Sequence, residues 1–293
     1  MRENKKSDLI KYGLKYGVYS LGDVVKTVIW RLLPNSIKRY PIYSIYRMEK
    51  QYYNYEENCF DFNGIKIPKM SVEYLLCLGT IYIDIFHIFC RLEDNYAAIN
   101  YGEYDKMCEG PYPYVDNGEI YGIDKGDVVI DAGAWIGDFA AYASKKGASK
   151  VYAFEPQSEN YEYLQKTARL NSNIVAVKKG LGDTEEKAFL SGDNEMAKIA
   201  EIGEEIIETT TIDNFVEEYK IKKVDFIKAD IEGFERKMLV GAINTLKNFA
   251  PKISICTYHL PDDPSVLEKI ICDANPSYKV IQRKNKLFAY VMK

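Results

Sequence analysis

Two carboxylates, Asp131 and Glu155, stand 24 residues apart, each closing a short apolar run, with Gly133 and Gly137 in the turn after the first. The runs Val128-Val129-Ile130 and Val151 to Phe154 read as strands, and the alanine-rich stretch ending at Gly147 reads as the helix between them. This strand–turn–helix–strand unit carries an acid at the C-terminal end of each strand, which is where open parallel sheets bind ligands. Gly133 lets the backbone approach a ligand with no Cβ in the way. Glu155 can accept hydrogen bonds from both hydroxyls of an adenosine ribose, so the unit reads as a nucleoside site. A dinucleotide site would need a second glycine where Trp135 and Ile136 stand, and the acid at the head of the loop repels a pyrophosphate. The same acid suits a cation. S-adenosylmethionine carries a sulfonium and an ammonium, which makes it the nucleoside cofactor that Asp131 matches. The rival readings are a nicotinamide or flavin site and a purely structural turn.

Three segments extend this reading: IDAGAWIGDFA over 130–140, AFEP over 153–156, and KADIEGFE over 228–235. In their order and spacing they resemble the signatures of the FkbM-type family of S-adenosylmethionine-dependent methyltransferases, over roughly Gly122 to Ile271. The resemblance implies a Rossmann-like α/β fold of the class I methyltransferase type. It also implies S-adenosylmethionine as cofactor and a hydroxyl oxygen of a glycan or small metabolite as methyl acceptor. Many members end the fifth strand with a carboxylate before a histidine. Here the chain reads Ser254-Ile255-Cys256-Thr257-Tyr258-His259, which moves attention to His259. Two functions from other classes compete: a catalytically silent binding or assembly protein that keeps the fold, and a nicotinamide-dependent oxidoreductase.

Methyl transfer from a sulfonium is an in-line displacement, so the protein has to align the nucleophile and, for a hydroxyl, remove its proton. Asp230, at the end of the fourth strand, either orients the acceptor or caps the helix that follows. His259, two residues past the fifth strand, is either the general base, with an ordinary pKa near 6.5, or a structural hydrogen bonder. Glu232 and Glu235 flank Gly233; one can cap the helix while the other faces the site or pairs with Arg236. Asp230, Glu232 and His259 could together ligate a metal, but nothing in the spacing enforces it, and the expected site is metal-free. Asp183, after the third strand, either reaches the adenine amino group or is a turn aspartate.

Around these residues the chain alternates strands and helices. Strands are expected at 127–131, 150–155, 174–179, 224–229, 252–257, 278–282 and 287–292, and helices at 136–147, 158–171, 212–219, 233–248 and 264–274. That alternation predicts a mostly parallel, seven-stranded sheet covered on both faces, with a reversed terminal strand. Residues 183–211 read as an insertion with a short strand pair. The chain divides into a mainly helical N-terminal extension, 1–118, and a cofactor-binding domain, 119–293. The extension includes a hairpin signalled by Asn63-Gly64 and a helix from about Ser71.

Composition sets the outer limits. The 293 residues are 47% hydrophobic and 28% charged, as in ordinary globular proteins. Six cysteines form no C-x-x-C pair, and two histidines allow no zinc spacing, which fits a reduced, cytoplasmic protein. No signal-peptide pattern opens the sequence. The run Tyr74 to Cys90, interrupted by Gly79, Asp84 and His87, reads as a packed helix and not a membrane span. Residues 1–50 hold 11 Lys and Arg against 4 Asp and Glu, a charge of +7, while the remainder carries −11. An acidic body argues against nucleic acid as a partner.

Within the basic segment, Val18, Leu21, Val25, Val28, Ile29 and Leu32 recur at helical spacing until Pro34. We expect this stripe to dock on its own domain, with peripheral contact to an anionic membrane as the competing role. Deleting residues 1–34 should then lower the melting temperature or the solubility. A truncated protein that melts normally but no longer sediments with anionic vesicles at low salt would assign the segment to membranes instead.

Overall fold

The computed structural model describes residues 52–62, 64–70, 114–116, 119–191, 198–200, 203, 205–283 and 285–292. The amphipathic stripe before Pro34, the helix expected from Ser71 and the apolar run with His87 lie outside the described residues. Residues 52–293 form one compact unit. Among the described residues, no helix is long and apolar enough to cross a membrane.

Its centre is a seven-stranded sheet. Four strands come from the first half of the unit and the segment after it: β6 (Val128–Ala132), β7 (Lys150–Phe154), β8 (Ile174–Val177) and β13 (Phe226–Ala229). Three follow: β14 (Lys252–Cys256), β15 (Tyr278–Arg283) and β16 (Lys286–Val291). The spatial order is β15-β16-β14-β13-β6-β7-β8. The pairs β13/β14, β13/β6, β6/β7 and β7/β8 are parallel, and β16 runs antiparallel to both neighbours. This is the architecture expected from the sequence, a class I methyltransferase sheet, with strand ends within two residues of expectation. The reversed strand is wedged between β14 and β15.

The central strands are apolar on both faces because helices cover both. All four residues of β13 are buried, and Ile130, Ile227, Ile253 and Ile255 share one core with Leu246, Leu267 and Ile271. The covering helices are α1 (Asp138–Lys145), α2 (Ser158–Leu170), α3 (Ile212–Glu218), α4 (Glu235–Val240), α5 (Ile243–Phe249) and α6 (Asp263–Ala274). α2 and α3 start on side-chain caps, Gln157 accepting from the Asn160 N–H and Thr211 from the Asn214 N–H.

Two expectations change. The single helix expected over 233–248 is two helices, α4 and α5, broken at Gly241-Ala242. Here Gly241 presses on another loop: a Cβ would fall 2.1 Å from the carbonyl oxygen of Gly182. Asp213 holds the break, its N–H donating to the Gly241 carbonyl and its carboxylate accepting from the N–H groups of Asn244 and Thr245. Tertiary packing overrides a helical pattern that Gly241 alone interrupts. The second change concerns the insertion. Instead of one strand pair, the segment after β8 builds a four-stranded sheet, β11-β10-β12-β9, from β9 (Gly180–Leu181), β10 (Lys187–Ser191), β11 (Lys198–Ala200) and β12 (Glu205–Thr210).

The expected hairpin is present as β2 (Cys59–Phe62) and β3 (Ile65–Pro68), with Gly64 at φ +94° in the turn. Short pairs complete the unit: β1 (Tyr53–Asn54) on β2, and β4 (Tyr114–Asp116) with β5 (Glu119–Tyr121). β3 packs on α1 and α2, and the Asn171 side chain donates to the Lys66 carbonyl.

Gly241 has an ordinary helical φ of −73°, so substitution there tests crowding alone. Gly241→Ala should cost about 1–3 kcal/mol, the usual penalty for overpacking, because the obstructing atom is backbone. Chemical denaturation against wild type measures it; unchanged stability would mean the α4–α5 joint yields freely.

Candidate active site

The C-terminal ends of β6, β7, β13 and β14 meet on one side of the sheet, and the residues singled out from sequence fall into two adjoining clusters there. The first is built on the loop after β6. Three of its residues take left-handed backbone angles: Gly133 (φ +71°), Trp135 (φ +48°) and Gly137 (φ +85°). The loop folds against the end of β7, where the N–H groups of Gly133 and Ala134 both donate to the Phe154 carbonyl.

Glu155 closes this arrangement. Its Oε2 accepts from the Trp135 N–H at 2.9 Å, and its Oε1 accepts from the Gln157 N–H at 3.0 Å and the Asn160 amide at 3.4 Å. The residue is 6% exposed. Burial pushes its pKa up to about 7, against the pull of these donors and the Lys228 charge. A carboxylate offers about four acceptor positions, so roughly one is left for an incoming hydroxyl, not the two expected from sequence.

The glycines have different reasons than expected. A Cβ on Gly133 would sit 2.0 Å from the carbonyl oxygen of Asp230, so this residue is small because two loops touch there. A Cβ on Gly137 would meet Leu164 and Thr167 of α2 at 2.8 and 2.9 Å, so that glycine serves helix packing. Asp131 is fully buried, and its charge, matched in the sequence reading to a cofactor cation, lies 3.2 Å from the Lys228 ammonium in the register-paired position of β13. Lys228 goes on to donate to the carbonyls of Ala132 and Gly133, at 3.3 and 2.6 Å, and so fastens the loop from beneath.

The second cluster follows β13 and β14 and holds Asp230, Glu232, Glu235 and His259. Its histidine side chain is 8% exposed. Nδ1 lies 3.0 Å from Glu235 Oε1, and Nε2 lies 3.4 Å from Glu232 Oε1 and 3.7 Å from Asp230 Oδ1. These are ion-pair distances without the alignment of hydrogen bonds. Burial works against a charge on this ring but is outweighed by Glu232, Glu235 and Asp230, which raise its pKa to about 10. The charged form of the ring is favoured, where the sequence suggests an ordinary pKa near 6.5.

The other acids also declare themselves. Asp230 caps no helix: α4 has Phe234 at its N-cap position with no side-chain cap, and Asp230 Oδ1 accepts from the Tyr258 hydroxyl at 2.9 Å. Glu235 is fully buried and accepts from the Ile231 N–H at 2.9 Å. Arg236, a possible Glu partner in the sequence reading, turns instead to Asp262 and Asp263 at the start of α6. Glu232 holds a left-handed φ of +54°, and Gly233 follows at +98°. Asp183 is exposed on the turn after β9, and no hydrogen bond or ion pair among the described residues ties it to either cluster. Sequence reasoning passed over Lys228 and Tyr258. Lys228 sits inside the KADIEGFE motif, and its place in an apolar strand was the available signal.

Comparison with known proteins places this geometry among methyltransferases. A family model described as "Methyltransferase FkbM domain" matches residues 131–278, just over half of the chain. The hexuronic acid methyltransferase AglP of Haloferax volcanii is 28% identical over 162 residues, which cover 54% of this chain and 66% of AglP. The crystal structure of methyltransferase FkbM from Methylobacillus flagellatus KT superposes with a TM-score of 0.50 at 23% identity, over 73% of this chain and 60% of that one. The chain thus spans slightly less than two thirds of each.

The pairing of Asp131 with Lys228 makes a stability prediction. Lys228→Met removes the counter-charge of a fully buried carboxylate and should cost about 3–5 kcal/mol, whereas Lys228→Met with Asp131→Asn should recover part of that loss. Urea melts of the three proteins test this; a single variant as stable as wild type would show that Asp131 does not depend on Lys228.

Proposed function

The chain belongs to the FkbM methyltransferase family, and on that premise we propose that it is an S-adenosylmethionine-dependent O-methyltransferase acting on a sugar. One observation carries the reading. The glycine loop that suits a nucleoside and the acid–histidine cluster that suits an acceptor touch, backbone to backbone, at Gly133 and Asp230. A methyl group held over the first is within reach of a nucleophile held by the second.

The residues present fit the cofactor. Glu155, a buried carboxylate at the end of β7, has an acceptor position for a ribose hydroxyl, and the loop fixed by Lys228 sets its approach. Trp135 and Ile136 are 6% and 0% exposed where a dinucleotide would require a second glycine, which speaks against the oxidoreductase reading. When bound, S-adenosylmethionine supplies a methyl carbon on a sulfonium leaving group. Its positive charge finds its complement in the second cluster, where three carboxylates surround one imidazolium, and not in Asp131. There Asp230 and His259 hold and orient the acceptor oxygen, and Asp230 is the group placed to take up its proton.

The acceptor class comes from the relatives. AglP is named for hexuronic acid, and a sugar acceptor for this chain is the corresponding proposal. Cys59, Cys256 and Cys272 are free thiols, in keeping with work in the cytoplasm.

Two measurements test the reading. Because the Glu155 pKa stands near 7, its ionised fraction climbs from about 10% at pH 6 to about 90% at pH 8. Only the ionised form keeps its full acceptor capacity, so calorimetry should show affinity for S-adenosylmethionine rising by up to about tenfold across that interval. Glu155→Ala should weaken binding at least about tenfold and flatten the profile. A flat wild-type profile with unchanged affinity in the variant would remove Glu155 from the cofactor site. Asp230→Asn should lower S-adenosylhomocysteine production by about 10²–10⁴-fold with cofactor affinity nearly unchanged. Cofactor binding with no turnover on any sugar would favour a silent binding protein.

A further inference from the structure

We propose that Asp230, Glu232 and His259 form a binding site for a first-row divalent cation, of the Mn²⁺ or Zn²⁺ kind, at the acceptor end of the site. One ligand atom from each residue can be chosen so that all three lie within 4.8 Å of one another. The edges from His259 Nε2 are 3.4 Å to Glu232 Oε1 and 3.7 Å to Asp230 Oδ1. Zinc–ligand bonds of about 2.0–2.2 Å place tetrahedral neighbours about 3.3–3.6 Å apart, so these separations match the edges of a coordination shell with little adjustment.

Burial points the same way. The histidine side chain is 92% removed from solvent, counting from its 8% exposure. Both its ring nitrogens are buried without a hydrogen bond, and Nε2 faces the gap between the two carboxylates. A buried ring nitrogen left in that state is costly unless something fills the gap. Glu235 sits on the other side of the ring, fully buried, 3.0 Å from Nδ1 and fixed by the Ile231 N–H. A carboxylate behind a histidine is the usual way to orient a metal-binding imidazole.

Charge supports a cation. Glu232 and Glu235 find no ion-pair partner but His259 among the described residues, and a bound metal would replace the Nε2 proton, which leaves to solvent, so the three carboxylates face the incoming cation. One nitrogen with two carboxylate oxygens suits manganese or zinc better than calcium or magnesium, which take oxygen donors. Asp230 and His259 are nearly closed to solvent, whereas the Glu232 side chain is 29% exposed, which leaves one open direction for the metal's remaining coordination positions. On the reading of the chain as a sugar methyltransferase, an acceptor oxygen would enter from that side. A bound cation would lower that oxygen's pKa and offset the negative field that otherwise repels an acidic sugar.

The test uses the full chain, stripped with a chelator and dialysed, and reads metal binding itself. Titration with MnCl₂ and ZnCl₂, followed by calorimetry and by the Mn²⁺ electron-spin signal, should show one equivalent bound, with MgCl₂ much weaker. Glu232→Gln and His259→Ala should each weaken binding at least tenfold, and Glu235→Gln by about 10–100-fold, with unchanged circular dichroism. Wild-type protein that binds neither metal at millimolar concentration, or variants that bind as well as wild type, would overturn the site. S-adenosylmethionine binding by the stripped protein separates the two ideas. Donor binding without metal binding would defeat this inference alone, and metal binding without donor binding would defeat the methyltransferase reading and leave the site standing.

Discussion

The contact between Gly133 and the carbonyl of Asp230 is the constraint on which the functional face depends. β6 and β13 are neighbours in the sheet, and their loops leave the strand ends side by side. The two backbones come so close that no side chain fits between them. Everything else at this face is arranged around that approach. Lys228 neutralises Asp131 beneath it, and the left-handed residues at 133, 135 and 137 turn the loop back onto β7. Glu155 then ties the Trp135 N–H from the far side. Buried charges would be a liability in isolation, but each here is met by an opposite charge or by backbone donors.

The same closeness concentrates charge. Asp230 and Glu232 lie between β13 and α4, Glu235 opens α4, and His259 reaches them from beyond the end of β14. Parallel neighbours deliver residues distant in sequence to the same side of the sheet, and this is the reason ligands collect at such edges. What the sheet cannot set is local electrostatics. The three carboxylates that the sheet places around the histidine raise its pKa, against the opposing effect of burial.

The sheet was legible because its strands are short apolar runs with turn residues at fixed offsets, and those patterns are local. Glu155, Asp230 and His259 were legible for a related reason: each follows a strand end, and strand ends converge. What escaped the sequence was non-local. The break at Gly241 depends on Gly182, nearly sixty residues earlier, and within 233–248 only the glycine itself hints at it. The sequence names no partner for Asp131 within the protein, and the register of β6 against β13 puts Lys228 opposite it. Gly133 reads as room for a ligand when its neighbour is backbone. How Glu232 and His259 face each other across two loops is likewise beyond what spacing can say.

The position of β16 bears on how the protein is made. β14 offers a row of backbone donors and acceptors that β16 satisfies, and β16 is the last of these strands in the chain order. Until the ribosome has released residues 286–291, the parallel sheet ends in a bare, apolar edge, the kind of template on which nascent chains join one another. Once β16 slots in, β15 becomes the outermost strand, with Lys279, Gln282 and Arg283 facing water. The late strand thus replaces a sticky margin with a charged one. The vulnerable interval in the life of this molecule is the time between making β14 and making β16.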